Sequence, residues 1–204
     1  NNADIRDNYR IRRILRELHY ISQIVEEGSE YYDDNLKVFP YRTNLDNWIV
    51  FLKGEEGTIY QGKWFKLLIL FPDLYPVSPP IIRFTSIPYH LNISSEGRIC
   101  LNILDKGYME NTHVYNIIQE IKEVFVLPNI ETPVQIEILE TFLSNKDLYY
   151  EKAKKSVQSV GKDDFNQFLE NDHFIYDKKT IGTNVRFVND DDSIVPLYMI
   201  SQVS

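Results

Sequence analysis

Cysteine is almost missing from this chain: Cys100 is the single thiol among 204 residues. One cysteine excludes an internal disulfide framework and suits a reducing compartment, so the expected location is cytoplasmic, or nuclear. Histidine is scarce too, with 4 scattered residues. Without clustered Cys and His there is no metal-ligand spacing, and the expected metal complement is none. No Gly-rich phosphate cradle occurs, so no nucleotide or other cofactor is expected. No apolar run approaches the ~20 residues of a membrane span, and the polar opening Asn1-Asn2-Ala3-Asp4 does not read as a signal peptide. The formal net charge of −8 argues against nucleic-acid binding, which wants a basic face. The positive charge is nevertheless bunched early, at Arg6, Arg10, Arg12, Arg13 and Arg16. That cluster reads either as a docking helix for an acidic protein partner or as a merely solvated face.

What is present suits one domain with room for an extension, and a 43 % hydrophobic fraction can fill a core. Ile11, Ile14, Leu15, Leu18 and Ile21 recur at helical spacing, predicting a helix from about Tyr9 to Glu26. Asp7 or Asn8 would cap it, Gly28 would end it, and the arginines would lie on other faces. Strands are expected at 36–41, 47–53, 63–71 and 81–85, with Gly54-Glu55-Glu56-Gly57 as a hairpin turn. The second and third are apolar on both faces, so flanking helices should cover an antiparallel meander. Pro72, Pro76, Pro79 and Pro80 exclude a helix or central strand there, and Leu74, Tyr75 and Val77 mark a stiff, packed loop. Helices are expected at 114–127, 134–143, 146–157 and 163–170. Residues 185–188 and 194–200 could pair as a hairpin or belong to a flexible tail.

The remaining landmark is the segment His90–Leu104. Cys100 follows the turn-prone Ser94-Ser95-Glu96-Gly97, with Ile99, Leu101, Ile103 and Leu104 to anchor the backbone around it. A free Cys is usually a small buried hydrophobe chosen for packing. A thiol held at a loop edge by buried neighbours is also a candidate nucleophile.

The order His90-Leu91-Asn92-Ile93, a Gly-containing turn, then Ile99-Cys100-Leu101-Asn102-Ile103-Leu104 resembles the active-site segment of the ubiquitin-conjugating enzymes. The spacing of Trp48, Tyr60-Gln61-Gly62, Phe71-Pro72, Tyr75-Pro76, Pro79-Pro80, His90 and Cys100 is similar to that family along its whole core. The resemblance implies an α+β, UBC-like fold over residues 1–171: an N-terminal helix, a four-stranded antiparallel sheet and C-terminal helices. Residues 172–204 would be an extension. It implies Cys100 as the thioester-forming cysteine, Asn92 as an oxyanion-stabilising amide (or a tie for its own loop), and His90 as a loop-structuring residue. Thr132, before Pro133, stands where the family commonly places an Asp or Ser lining the approach of the lysine. The first helix, with Arg10, Arg12, Arg13 and Arg16, would meet the activating enzyme, while Val77 and Asn111 would fall on the ligase surface. The implied partners are ubiquitin or a ubiquitin-like modifier, a ubiquitin-activating enzyme, a ubiquitin ligase and protein substrate lysines.

The chain departs from the family pattern at several places. Leu91 replaces a proline, Lys63 a glycine and Tyr108 a tryptophan. Met109-Glu110-Asn111 replaces Ser-Pro-Ala, Val77 a common Phe, and Thr132 an acidic or serine residue. Three other readings stand beside the enzyme: a catalytically silent ubiquitin-binding module, a cysteine hydrolase pairing Cys100 with His90, His113 or His173, and a structural scaffold.

Overall fold

The computed structural model describes residues 2–41, 44–159, 174–176 and 186–188. Helix α1 (Asn2–Val25) is followed by strands β1 (Leu36–Pro40), β2 (Asn47–Lys53), β3 (Trp64–Leu70) and β4 (Ile81–Phe84). After a 3-10 turn (Asn102–Leu104) come helices α2 (Val114–Val126), α3 (Ile136–Ser144) and α4 (Lys146–Ser159), then two short strands, β5 (Phe174–Tyr176) and β6 (Arg186–Val188). Strands β1 to β4 form one antiparallel sheet in chain order. This is the α+β fold expected from the sequence.

Strand β2 shows why the sheet needs cover on both sides, because alternate residues point to opposite faces. Trp48, Val50 and Leu52 join Phe65, Leu67 and Ile69 in the main core. Ile14, Leu18 and Ile21 of α1, with Ile117, Ile121 and Phe125 of α2, pack into the same cluster. The opposite face carries Phe39, Tyr41, Ile49, Phe51 and Leu68, with Trp64 and Leu70 beside them, as a separate buried cluster. Helices were expected to cover both faces. Among the described residues, α1 and α2 serve the first face only.

Helix α1 begins earlier than its apolar periodicity predicts, so Asp7 lies inside it and pairs with Arg10 one turn on at 3.7 Å instead of capping it. The expectation that its arginines all face solvent is corrected at two positions. Arg10 and Arg13 are each only 8 % exposed. Arg10 forms an ion pair with Asp46, in the turn before β2. Arg13 donates from Nε to Glu17 at 2.7 Å, from Nη1 to the Glu110 carbonyl at 2.7 Å and from Nη2 to the Thr112 carbonyl at 2.9 Å. Glu17 in turn accepts the Val114 N–H at 3.1 Å. That N–H opens α2, whose N-cap His113 makes no side-chain capping bond. A carboxylate from α1 therefore satisfies a donor that the second helix cannot, and lies at the positive end of its dipole. These arginines hold the scaffold; Arg6, Arg12 and Arg16 remain exposed.

The third helix starts at Ile136, two residues later than expected. Strand β6 pairs with β5, Phe174 opposite Val188 and Tyr176 opposite Arg186. Residues 194–200, the expected helix at 163–170 and His173 lie outside the described residues.

Candidate active site

The segment bearing the thiol is stitched to the edge of β4. The Phe84 N–H donates to the Gly97 carbonyl at 2.8 Å, and isolated bridges join Arg83 to Arg98 and Ile93 to Ile99. Gly97 has φ of +81°, and a Cβ there would collide with the Phe84 carbonyl oxygen, so the turn can lie this close to β4 only with glycine. Ser94 closes the turn, its Oγ accepting the N–H groups of Glu96 at 3.2 Å and Arg98 at 3.1 Å. Cys100 emerges from this frame exposed to solvent, its backbone N–H donating to the Asn92 carbonyl at 3.1 Å. The thiol is fixed by main chain and left open. Among the described residues no hydrogen bond reaches its sulfur.

Asn92 is fully buried. Its Nδ2 donates to the carbonyls of Asn129 at 2.7 Å and Thr132 at 2.9 Å, and its Oδ1 accepts the Asn129 N–H at 2.9 Å. Both amide hydrogens are thus engaged by the loop between α2 and α3, and the alternative role weighed for Asn92, tying down a loop, is what the geometry contains. Thr132 is half-buried in that loop, its Oγ1 at 3.4 Å from the Asn92 amide nitrogen. Asn129, just past the helix expected at 114–127, is the missed member of this set. Its pairing with Asn92 spans 37 positions and leaves no local signal.

His90 is fully buried as well. Its Nδ1 accepts the Asn92 N–H at 3.0 Å, which places the ring proton on Nε2, donating to the Val124 carbonyl at 2.9 Å. Burial, which disfavours the imidazolium, brings its pKa down from 6.5 to about 4 despite the Val124 carbonyl. A neutral ring with both nitrogens engaged has no lone pair to offer a thiol. His113, the second partner considered for a hydrolase, has its Nδ1 3.1 Å from the Glu17 carboxylate. Leu91, where the resemblance expects proline, is buried against Ile138 and Phe142 of α3 and Tyr149 of α4. Its main-chain carbonyl also accepts the Val134 N–H at 2.8 Å, so this position ties the loop to the segment leading into α3.

A second surface lies beyond the thiol. The Tyr108 hydroxyl donates to the Pro76 carbonyl at 2.7 Å and ties the proline-rich loop to the loop before α2. The first carries Leu74, 55 % exposed, and Val77, 63 % exposed; the second carries Met109, 63 % exposed, beside exposed Asn111. Leu74 was taken from sequence as a packing residue of its loop and stands out of it. Surface apolar groups held together in this way mark an interaction site more often than scattered ones do.

Residues 13–157 match the sequence model of the family described as ubiquitin-conjugating enzyme. The chain belongs to that family. It is 27 % identical over 161 residues to the ubiquitin-conjugating enzyme E2 2 of Kluyveromyces lactis, covering 79 % of this chain and 94 % of that one. The E2 2 of Saccharomyces cerevisiae is 28 % identical over 153 residues, covering 75 % of this chain and 85 % of its own. The ubiquitin-conjugating enzyme E2 3 of Arabidopsis thaliana is 34 % identical over 119 residues, 58 % of this chain and 79 % of the relative. The family in general works with ubiquitin, an activating enzyme and a ligase. Its matched region ends within α4, so β5 and β6 lie beyond it.

Proposed function

We propose that Cys100 accepts ubiquitin, or a ubiquitin-like modifier, as a thioester and transfers it to a substrate lysine or to a ligase cysteine. In loading, the Cys100 thiolate attacks the activating enzyme's thioester carbonyl, the tetrahedral oxyanion collapses, and the activating enzyme's thiolate leaves. In discharge onto lysine, the neutral amine attacks, a C–N bond forms, Cys100 departs as thiolate, and the amine proton passes to solvent. The observation carrying this reading is an exposed single thiol on a loop held by main-chain hydrogen bonds and by the buried side chains of His90, Asn92 and Ser94. With both ring nitrogens engaged inside the protein, His90 does not activate the sulfur. Asn92 acts as a positioning residue, holding the 129–132 loop beside the thiol. Thr132 lines the lysine approach with a hydroxyl in place of a carboxylate.

Docking follows the surfaces left open. Arg12 and Arg16, with Arg6, are the exposed charges that would meet an acidic groove of the activating enzyme; Leu74, Val77, Met109 and Asn111 would meet a ligase. The cytoplasm or nucleus suits a reaction that needs a reduced thiol.

Incubation with activating enzyme, ATP and ubiquitin, read on a non-reducing gel, tests the proposal. The expected result is an adduct labile to reductant, converted by Cys100→Ser to a reductant-stable ester. No adduct from a folded, reduced protein would make the chain a silent binding module, and an adduct persisting in Cys100→Ala would place the chemistry elsewhere.

A further inference from the structure

Where the thiol-bearing segment is stitched to β4, the register brings two arginines together. Arg83 and Arg98 are antiparallel bridge partners, so their side chains leave the sheet on the same side, about 5 Å apart at Cβ. That side is the outer face, because Arg83 also stands opposite Leu68 of the outer cluster. Like charges set directly opposite each other on a sheet are destabilising. Among the described residues nothing offsets this pair, and neither guanidinium makes an ion pair or a side-chain hydrogen bond. Glu96, on the same turn, accepts the Ser95 hydroxyl at 2.7 Å. That bond, more than Arg98, holds the Glu96 pKa below its usual value.

The pair stands in the open. Arg98 is exposed and Arg83 half-buried, and Ile81, two positions before Arg83 on the same side of β4, is 45 % exposed. The β4 margin of the outer face thus presents two guanidinium forks beside an apolar side chain, whereas its centre around Ile49 and Phe51 is buried. Guanidinium forks match the planar geometry of carboxylates. With a net charge of −8 the rest of the molecule repels a long polyanion, but a short acidic segment can meet the pair alone. The pair also lies beside the thiol, since Arg98 precedes Cys100 by two positions, about 7 Å of extended chain. We infer that Arg83 and Arg98, with Ile81, dock a short acidic segment, bearing an apolar residue, of the protein that receives the modifier. Naming that protein as the acceptor rests on the role proposed for Cys100; the docking of an acidic segment does not.

The test has two arms. In the first, the unloaded full chain is titrated with a lysine-free peptide of aspartate and leucine and followed by NMR. Backbone amides of 81–85 and 96–100 and the Nε signals of both arginines should shift, less so as salt rises. The same peptide with asparagine for aspartate should leave them in place. Changing both arginines to glutamine should weaken binding about five- to tenfold, as expected for two charge pairs at a partly exposed site. Arg98→Glu exchanges a repelling pair for an attracting one, so it should raise the thermal midpoint and yet abolish peptide binding, a combination no misfolded variant gives. Equal affinity for wild type and the double glutamine variant would overturn the docking site, as would tighter binding of an oligonucleotide at the same signals. In the second arm, the loaded chain should discharge faster onto a single-lysine peptide flanked by aspartates than onto its asparagine counterpart. The glutamine variants should erase that preference and keep the rate onto free lysine. Peptide binding at the pair without any discharge preference would overturn the acceptor as occupant. Failure to load would count against Cys100 alone, because the first arm is read on the unloaded chain.

Discussion

Replacing Asn92 by alanine separates the two roles an asparagine beside a thioester can have. The side chain makes three short hydrogen bonds, to the Asn129 carbonyl, the Asn129 N–H and the Thr132 carbonyl, besides a longer one to Thr132 Oγ1, and it is fully buried. Each such bond contributes about 0.5–1.5 kcal/mol net, so the set is worth roughly 1.5–4.5 kcal/mol. Asn129 and Thr132 are only partly buried, and water can reach some of the freed groups, which favours the middle of that range. At about 2–4 °C per kcal/mol for a protein of this size, Asn92→Ala should melt about 5–10 °C below wild type. The tether from the Cys100 N–H uses the Asn92 backbone carbonyl and survives the change. Asn92→Asp sharpens the test, because it keeps an oxygen toward the Asn129 N–H but turns another toward two carbonyls. Its folded-state pKa would be raised, so its stability should recover toward acid pH and fall as pH rises past the ordinary carboxyl range, relative to alanine at each pH. Thermal melts of the three proteins, with loading rates measured well below each midpoint, decide the matter. An alanine variant that melts like wild type but loads ~10²–10³-fold more slowly would refute the clamp and put the amide on the oxyanion.

Three further outcomes are expected. His90 has a folded pKa of about 4 against an ordinary 6.5, so the unfolded chain takes up the extra proton between those values; the contribution is complete above 6.5 and lost as pH falls toward 4. That window is worth about 3 kcal/mol, and urea unfolding at pH 5 and pH 7 should show a slope that His90→Gln flattens. Arg13→Ala leaves the Glu17 carboxylate, 1 % exposed, without its cationic partner and should cost about 3–5 kcal/mol in denaturant unfolding, whereas Arg12→Ala and Arg16→Ala should stay within about 0.5 kcal/mol and change only the salt dependence of loading. Thr132→Asp should speed single-turnover discharge onto free lysine, at or below the low end of the ~10²–10⁴-fold span of acid–base effects, with loading within about twofold; equal discharge rates would leave Thr132 as a loop residue only.

The unbroken apolar run of β2 announced a sheet buried on both sides, the clustered prolines a stiff loop, and the frame around Cys100 an open thiol. Each depends on neighbours within a few positions, which is why the sequence carries it. The inward turn of Arg10 and Arg13 depends on Asp46, 36 positions away, and on Glu110, 97 away. Arginine on a helix looks the same in sequence whether its partner is water or a buried carboxylate. Asn92 and Asn129 are alike in this respect, each ordinary until the fold brings them together. The start of α1 was missed for another reason: residues 5–9 are all exposed, so no apolar period marks that stretch. Helices were expected over both sheet faces and α1 and α2 serve only one, since a strand that is apolar on both sides says that cover exists and not what supplies it.

The seam between Gly97 and Phe84 has a consequence for the fate of damaged molecules. A sheet's last strand ordinarily offers unpaired backbone groups to any extended chain nearby, and proteins must blunt such edges. Here the blunting of β4 is done by the segment that presents the thiol, through the Gly97 carbonyl and the Arg98 bridge. A lesion that loosens that segment therefore misplaces the sulfur and bares a strand edge in one event. Molecules that lose the reaction this way should also become the ones that stick to each other, making them visible to quality control as soon as they fail.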